Sequence, residues 1–335
     1  MRALVTGAAG FVGSHLVRHL LAAGETVVGL DDGSTGDWEN LAGVARHERL
    51  RLVRGSVVEQ DTVERAAEGC DVVFHLAAAV GAFVIRDRTL ESLLTNIHGT
   101  HQVLRAAHRN RSRVLIASTS EIYGKNDKIG LTEEDDRIVG SPLKSRWSYS
   151  EAKAVDESMT RSYVDEQGLW AVIVRLFNTV GPGQSGRYGM VLPRFVSMAL
   201  RGHPLTVFGT GEQIRCFCHV DDVVPALAAL VRSEPARGRA VNLGSTEQVS
   251  IEELARRVIA TTGSPSDIVH RPYEAVYGSG YEDMLRRVPD CSLARELVGF
   301  RPEHDLDSII RSIVDEHTRA DRSGTTVASG RTDTG

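Results

Sequence analysis

Three glycines at three-residue intervals follow the first apolar run of the chain and constrain its fold more than any other feature. The run covers residues 3–5, and the segment GAAGFVG (residues 7–13) comes directly after it. Residues 13–23 then place four aliphatic side chains on one face of a helix, which Gly24 ends. The pattern predicts a buried strand, a tight turn, and a helix that packs closely on that turn.

The rest of the first half alternates short apolar runs with longer amphipathic stretches. Strand–helix alternation at this spacing is typical of a parallel sheet with helices on both faces. We therefore expect an α/β fold built on a doubly wound parallel Rossmann sheet. The predicted strands are residues 3–5, 26–30, 51–53, 71–76, 114–117 and 171–176, and the predicted helices are residues 13–23, 90–109 and 149–167.

The pattern changes after residue 176, where glycine and proline cluster. Further helices are predicted at residues 190–201, 220–231, 251–262 and 306–317, and further strands at residues 205–208 and 240–243. We assign residues 1–176 and 216–245 to the sheet domain, and residues 177–215 and 246–317 to a smaller, discontinuous α/β domain. Residues 322–335 have no apolar periodicity, which predicts a disordered tail.

The composition argues against several classes of protein. The net charge is −5, so the basic footprint of a nucleic-acid-binding protein is not expected. No apolar run reaches the length of a membrane span, and the first residues enter a strand pattern without room for a signal peptide. Cys216 and Cys218 lack a second Cys/His pair at zinc-ligand spacing, so no metal site is expected. These features point to the cytoplasm.

The glycine-rich turn has the properties of a dinucleotide phosphate site. Small residues let the backbone approach a pyrophosphate, and the helix that follows offers free N–H groups and the positive end of its dipole. Asp31 ends the second predicted strand, where a carboxylate accepts hydrogen bonds from ribose hydroxyls. A 2′-phosphate would face both Asp31 and Asp32 with no arginine beside them in the sequence, which favours NAD over NADP.

Tyr149 and Lys153 are four residues apart on a predicted helix and therefore share one face. A tyrosine with its ordinary pKa near 10 is a poor base at neutral pH. A neighbouring ammonium and a cationic nicotinamide both favour the phenolate and lower that pKa. Thr119 follows the predicted strand 114–117, and we expect its hydroxyl to hydrogen-bond the reacting oxygen.

Four segments together resemble the extended short-chain dehydrogenase/reductase family, in its nucleotide-sugar epimerase, dehydratase and decarboxylase branch. They are GAAGFVG, Asp31, STSEIYG (residues 118–124) and YSEAK (residues 149–153). The resemblance covers about residues 1–317. It implies a tightly bound, recycled NAD in the sheet domain, a UDP-sugar in the smaller domain, and a homodimer formed by helices 90–109 and 149–167.

The resemblance also implies which residues bind each ligand. HLAA (residues 75–78) matches a turn over the cofactor, and RCFCHVD (residues 215–221) matches a segment whose arginine clamps the diphosphate. The implied NAD-binding residues are Gly7, Gly10, Phe11, Val12, Gly13, Asp31, Asp32, Ser56, Val57, Leu76, Ala77, Ala78, Asn96, Tyr149 and Lys153. The implied substrate-binding residues are Thr119, Ser120, Glu121, Asn178, Thr179, Arg187, Val207, Arg215 and Arg287.

The mechanism that the resemblance implies begins when Tyr149 takes the proton of the C4 hydroxyl and hydride passes from C4 to NAD. The 4-keto sugar is then re-reduced from the other face by an epimerase, loses water in a 4,6-dehydratase, or loses its C5 carboxylate in a decarboxylase. The dehydratases carry an Asp-Glu pair after the catalytic threonine. Here Thr119 is followed by Ser120 and Glu121, which argues against dehydration.

Different segments of the sequence support the two remaining reactions, epimerisation and decarboxylation. STSE with Arg215 resembles the UDP-glucuronate decarboxylases, whereas AAVGA (residues 78–82) resembles the epimerases, and Gly183 stands where the decarboxylases carry an arginine. We predict an NAD-dependent UDP-sugar 4-epimerase that converts UDP-glucuronate into UDP-galacturonate, in a pathway of antibiotic biosynthesis. The alternatives are, in order, a UDP-glucuronate decarboxylase, a UDP-glucose 4-epimerase and a non-recycling NAD(P)H carbonyl reductase. A non-catalytic NAD sensor would have no use for Tyr149 and Lys153.

Overall fold

The structure, a computed structural model, describes residues 1–277 and 282–322. Within these ranges the strands are β1 (Arg2–Thr6), β2 (Thr26–Asp31), β3 (Leu50–Arg54), β4 (Val72–His75), β5 (Arg113–Thr119), β6 (Ile129–Leu131), β7 (Ala171–Leu176), β8 (Thr179–Val180), β9 (Leu205–Phe208), β10 (Ile214–Cys216), β11 (Cys218–His219), β12 (Ala240–Leu243), β13 (Gln248–Ser250), β14 (Ile268–Arg271) and β15 (Val288–Pro289). The helices are α1 (Phe11–Ala22), α2 (Gln60–Ala67), α3 (Ala82–Asp87), α4 (Thr89–Asn110), α5 (Ser148–Gln167), α6 (Val191–Leu200), α7 (Val220–Leu230), α8 (Ile251–Thr262), α9 (Glu274–Tyr277), α10 (Ser292–Val298) and α11 (Leu306–Arg322).

The central sheet has seven parallel strands in the order β12-β7-β5-β4-β1-β2-β3. Strand β1 pairs with β2 on one side and with β4 on the other, so the direction of winding reverses between β1 and β4. In such sheets ligands bind at the carboxyl ends of the strands beside the reversal. The order confirms the doubly wound parallel sheet that the alternating pattern predicts.

Helices cover both faces of the sheet because the strands are apolar on both faces. Along β1, Ala3 and Val5 pack in one cluster with Leu16 of α1 and with residues of α7. Leu4, between them, points to the opposite face and packs with Val103 of α4 and with residues of α2. The alternation along one strand therefore builds two separate layers of core.

The second half of the chain contributes a smaller unit with its own apolar core, which we call the cap. It is formed by α6, α8, α11 and β9, with Phe195, Val207, Leu254 and Ile309 among its buried side chains. Strand β9 pairs with β14, and β10 pairs with β13, outside the central sheet. The division of the chain at residues 176, 216 and 245 stays a prediction.

The sequence analysis missed several short elements. Helix α3 has six residues and follows Gly81, whose φ is 122°, and helix α2 has eight mostly polar residues. Neither is long enough to show a clear apolar period. Helix α11 extends beyond the predicted end at residue 317 to Arg322. The predicted tail, residues 322–335, begins at the last residue of α11 and otherwise lies outside the described residues. No helix in the described ranges is both long and apolar enough to span a membrane.

Candidate active site

A cleft of about 1550 Å³ opens at the carboxyl ends of the central strands. The strand ends contribute the residues that follow β1, β2, β4 and β5, and the cap contributes residues of α6 and β9. The glycine-rich turn lines one part of the cleft and Tyr149 lines another. The cleft therefore joins the two regions that the sequence analysis selected for dinucleotide and substrate.

The N-terminus of α1 faces this cleft without a side-chain cap. The residue before the helix is Gly10, and no side chain at this position caps the helix with a hydrogen bond. The first turn of the helix contains no acidic residue. The first N–H groups of a helix have no partners within the helix. This end of α1 therefore suits a diphosphate, as the spacing of the glycines predicts.

Gly13 allows α1 to pack on the turn that precedes it. A Cβ atom added to Gly13 would lie 1.9 Å from the carbonyl oxygen of Gly7, which is backbone and cannot move aside locally. A Cβ atom on Gly7, whose φ is 70°, would lie 2.8 Å from the backbone nitrogen of Ala77. Both glycines are therefore required by close backbone contacts.

We predict that Gly13→Ala lowers the free energy of unfolding by about 3 kcal/mol and weakens NAD binding at least tenfold, because the turn must move away from α1. Thermal unfolding and calorimetric titration with NAD measure the two effects. Gly43→Ala is the matched control, since a Cβ atom on Gly43 meets no atom within 4 Å. Equal unfolding midpoints and equal affinities in the two variants would contradict the prediction.

Asp31 lies at the end of β2, where the sequence places the ribose-binding carboxylate. Its Oδ2 accepts a hydrogen bond from the backbone N–H of Ala9 at 2.9 Å, and its Oδ1 accepts one from Gly33 at 2.8 Å. Burial raises the pKa of Asp31, while these N–H groups act in the opposite direction. Arg54 pairs with Asp31 across the β2–β3 register, but its guanidinium lies 5.0 Å from the ring centroid of Trp38.

Most of the residues predicted to bind NAD line the cleft. They are Gly7, Gly10, Phe11, Val12, Gly13, Asp31, Asp32, Val57, Leu76, Ala77, Ala78 and Tyr149. Three of the predicted residues do not line it: Ser56, Asn96 and Lys153. Asn96 instead supports the loop after β4, since its Oδ1 accepts a hydrogen bond from Ala79 N–H at 2.9 Å. The residues around the turn and Asp31 fit a dinucleotide.

Tyr149 is placed at the start of α5 and is 8% exposed. Burial raises its pKa well above the usual value, and the nearby Glu121 and Asp156 carboxylates act in the same direction. Lys153, one turn further on, is 2% exposed, and its Nζ lies 3.2 Å from Oδ2 of Asp156. The cationic influences that the sequence analysis invoked must therefore overcome both burial and two carboxylates.

Two arginines enclose the Glu121 carboxylate in the part of the cleft near Tyr149. Arg146 Nη1 lies 2.7 Å from Oε2 of Glu121, and Arg287 Nη1 lies 3.5 Å from its Oε1. Burial alone would raise the pKa of Glu121, but the two guanidiniums outweigh burial and the pKa lies below its usual value. Glu121 is therefore an ionised carboxylate and not a proton donor at neutral pH.

Arg146 is a functional candidate that the sequence analysis missed. It precedes Tyr149 by three residues, in a short 3-10 turn, Ser145–Trp147, where no apolar period exists to mark it. Thr119, which was predicted, ends β5 and lines the cleft, and its Oγ1 accepts a hydrogen bond from Glu121 N–H at 3.2 Å. Ser120 also lines the cleft, with its Oγ 3.4 Å from Arg287 Nη1.

Arg215, predicted to clamp a diphosphate, is engaged within the protein. Its Nη2 donates to both carboxylate oxygens of Asp283, at 3.1 and 3.2 Å, and its Nη1 donates to the carbonyl of Met284 at 2.8 Å. Tyr273 OH donates to the same Asp283 carboxylate at 2.7 Å. Arg215 lines the cleft, but Asp283 already neutralises its charge.

The other predicted substrate residues divide between the cleft and the core of the cap. Asn178, Thr179 and Arg187 line the cleft. Asn178 has a φ of 33° and donates its side-chain N–H to the carbonyl of Cys216 at 2.8 Å. The side chain of Val207 is buried in the core of the cap, and the next residue of β9, Phe208, lines the cleft instead, so the role of Val207 stays a prediction.

The chain is similar to several known proteins. Residues 3–244 match the NAD dependent epimerase/dehydratase family. A UDP-N-acetyl-alpha-D-glucosaminuronate decarboxylase from Bacillus cytotoxicus is 39% identical over 305 residues, which are 90% of this chain and 92% of the relative. UDP-glucuronic acid decarboxylase 1 from Xenopus tropicalis is 36% identical over 91% of this chain and 69% of the relative. The crystal structure of UDP-glucuronic acid 4-epimerase from Bacillus cereus, in complex with UDP-glucuronic acid and NAD, has a TM-score of 0.86 at 27% identity, over 95% of this chain and 99% of that one.

Proposed function

Since the chain belongs to the NAD-dependent epimerase/dehydratase family, we propose that it decarboxylates the UDP conjugate of a hexuronic acid. This proposal replaces 4-epimerisation, the first choice of the sequence analysis, with decarboxylation, which was its first alternative. Two relatives that are decarboxylases support the change, at 39% and 36% identity over nine-tenths of the chain. NAD is the cofactor, as the family and the residues around Asp31 indicate.

The observation that carries the choice of a sugar acid as substrate is the pair of arginines around Glu121. The Arg287 side chain is 13% exposed, and its buried Nε has no hydrogen-bond partner among the described residues. Burial and the neighbouring Arg215 lower the pKa of Arg287 to about 10, so the group remains cationic at neutral pH. Two guanidiniums and one carboxylate leave one positive charge near Tyr149, which a second carboxylate from the substrate would neutralise.

The reaction of a hexuronic acid follows from the position of its carboxylate. Once C4 is a ketone, the C5 carboxylate belongs to a β-keto acid, whose C5–C6 bond breaks with its electron pair moving to the C4 oxygen. Tyr149 removes the proton of the C4 hydroxyl at the start, and its hydroxyl, with that of Thr119, donates to the oxygen as it gains charge. Carbon dioxide leaves, and a proton from solvent replaces it at C5.

Bound NAD would supply the acceptor for the C4 hydride and the hydride for reduction of the ketone. The groups that would hold it are the first N–H groups of α1, the Asp31 carboxylate and the loop after β4, which Asn96 supports. We further propose that NAD stays bound between turnovers. Buried Lys153 follows Tyr149 by one turn of α5, and its ammonium would favour the Tyr149 phenolate.

A second candidate is the UDP-glucuronate 4-epimerase of the sequence analysis. The Bacillus cereus epimerase structure favours it, with a TM-score of 0.86. The loop that resembles the epimerases, residues 78–82, lies against the segment around Tyr188, since a Cβ atom on Gly81 would lie 2.7 Å from Tyr188 Cβ. An epimerase would use the same Tyr149 and Arg287 but would keep the C5–C6 bond.

One experiment separates the two candidates. The purified protein is incubated with UDP-glucuronate and, separately, with UDP-N-acetylglucosaminuronate, without added reductant, and the nucleotide sugars are followed by proton NMR. Decarboxylation replaces the C5 proton signal by a methylene pair and releases carbon dioxide. A product that keeps its C5 proton and its carboxylate, with the H4 coupling constants of an inverted C4 centre, would contradict decarboxylation and establish the epimerase.

The assembly, location and pathway of the protein stay proposals. Helices α4 and α5 expose Leu90, Leu94 and Val155, which are 69%, 45% and 43% exposed. These side chains lie on the two helices through which the sequence analysis predicts a homodimer, and they support that prediction. A cytoplasmic location and a role in antibiotic biosynthesis follow only from the sequence.

A further inference from the structure

Lys153 is paired with a carboxylate that no step of the proposed reaction uses. Its Nζ lies 3.2 Å from Oδ2 of Asp156, one turn later on α5, and the two side chains are 2% and 0% exposed. Burying two charges is costly unless they neutralise each other. Asp156 is therefore the group that allows an ammonium to exist at this depth, on the face of α5 that Lys153 shares with Tyr149.

The surroundings of the pair hold few other charges. Thr100 of α4 contributes an uncharged hydroxyl that, together with Lys153, opposes the rise in the Asp156 pKa caused by burial. His75 of β4 hydrogen-bonds Thr100 at 3.1 Å, and burial and Lys153 lower its pKa to about 3, so it is neutral. Two ion clusters lie beside α5: Glu121 with Arg146 and Arg287, and Glu157 with Arg175 of β7 at 2.7 Å. The other charged groups there pair with carboxylates of their own: Arg105 and Arg109 of α4 with Glu64, Arg113 of β5 with Glu234, and Arg137 with Glu151.

We propose that Asp156 is a positioning residue, which anchors Lys153 through their ion pair and opposes the ionisation of Tyr149. The inference rests on the proposed role of Tyr149 as the base. Asp156 lies seven residues after Tyr149, two turns along the same helix face, and both are buried. Its charge acts on Tyr149 through the protein interior, where electrostatic interactions are weakly screened.

The sign of the expected shift follows from the charge that Asp156 carries. Loss of the Tyr149 proton creates a negative charge, and the Asp156 carboxylate in the same weakly screened interior opposes it. Removal of that carboxylate therefore favours the phenolate of Tyr149. It also leaves buried Lys153 without its partner, so the ammonium is held less firmly on the face that it shares with Tyr149 and turnover falls.

The test is the pH dependence of kcat/KM for Asp156→Asn, measured with the sugar acid that the protein accepts. We expect the acid limb of the profile to move to lower pH by about one unit, and the plateau to fall about tenfold. Asp165→Asn is the matched control, because it removes the same charge from an exposed position on α5, where Asp165 pairs with Arg161 at 2.7 Å. An acid limb that stays in place or moves to higher pH would overturn the proposal.

A second measurement does not depend on turnover. The tyrosinate absorbance of the NAD-bound protein is titrated without substrate, and the curve of the matching Tyr149→Phe protein is subtracted, so the difference reports Tyr149. The pH midpoint of the Tyr149 titration must also fall in Asp156→Asn. An unchanged midpoint overturns the inference even if the reaction proves to be epimerisation. Where Asp156→Asn does not fold, Asp156→Ser removes the same charge with a smaller side chain and is held to the same outcome.

Discussion

Replacement of Tyr149 by Phe is expected to lower turnover by about a thousandfold or more while leaving the fold and NAD binding unchanged. The change removes one oxygen atom from a side chain that lines the cleft. General acid–base catalysis by a positioned side chain contributes a factor of about 10² to 10⁴. Here the loss is at the upper end, because the same oxygen takes the C4 proton as a phenolate and, once protonated, donates to the C4 oxygen.

The controls for Tyr149→Phe separate chemistry from structure. The unfolding midpoint and the NAD affinity of the variant should match those of the wild-type protein. Among the contacts described, the Tyr149 hydroxyl has no hydrogen-bond partner, so its removal leaves no buried group unpaired. Tyr163→Phe, on the same helix, removes a tyrosine hydroxyl outside the cleft and should retain full turnover. Near-normal turnover of Tyr149→Phe would show that another group is the base.

The sequence was sufficient for the central sheet because its strands are buried on both faces. The runs at β1, β4 and β7 are mostly apolar. Strands β4 and β7 lie within the predicted bounds, and β1 extends them by one residue at each end. Short elements were missed for the opposite reason. Strands β8 and β11 have two residues each, so they have no period to detect and exist only because the cap brings them together.

The candidate site could be predicted only where its residues form a local pattern. Tyr149 and Lys153 are one turn apart, so their spacing alone places them together. Arg215 and Asp283 are 68 residues apart, and nothing in the sequence pairs them before the chain folds. Asp156 is close in sequence, but a polar residue in a helix usually faces solvent, and only the packing of α4 on α5 shows that it is buried.

Replacement of Arg287 by Gln should lower kcat/KM for the sugar acid by about 100- to 1000-fold, equivalent to about 3 to 4 kcal/mol of transition-state stabilisation. Arg287 has a buried Nε without a partner among the described residues, and we expect its guanidinium to contact the substrate carboxylate. Steady-state rates with the sugar acid and calorimetric titration with NAD measure the effect, and NAD affinity should not change. Arg286→Gln is the matched control, because it removes an exposed guanidinium from the adjacent position.

The loss in Arg287→Gln could also arise inside the protein, because Glu121 would keep only Arg146 as a partner. The double variant Glu121→Gln/Arg287→Gln distinguishes the two causes, since it removes both charges of the 3.5 Å contact. If Arg287 binds the substrate, the double variant regains thermal stability but not activity. If activity returns with stability, then Arg287 serves only to neutralise Glu121, and the site would lack the cation on which recognition of a sugar acid depends.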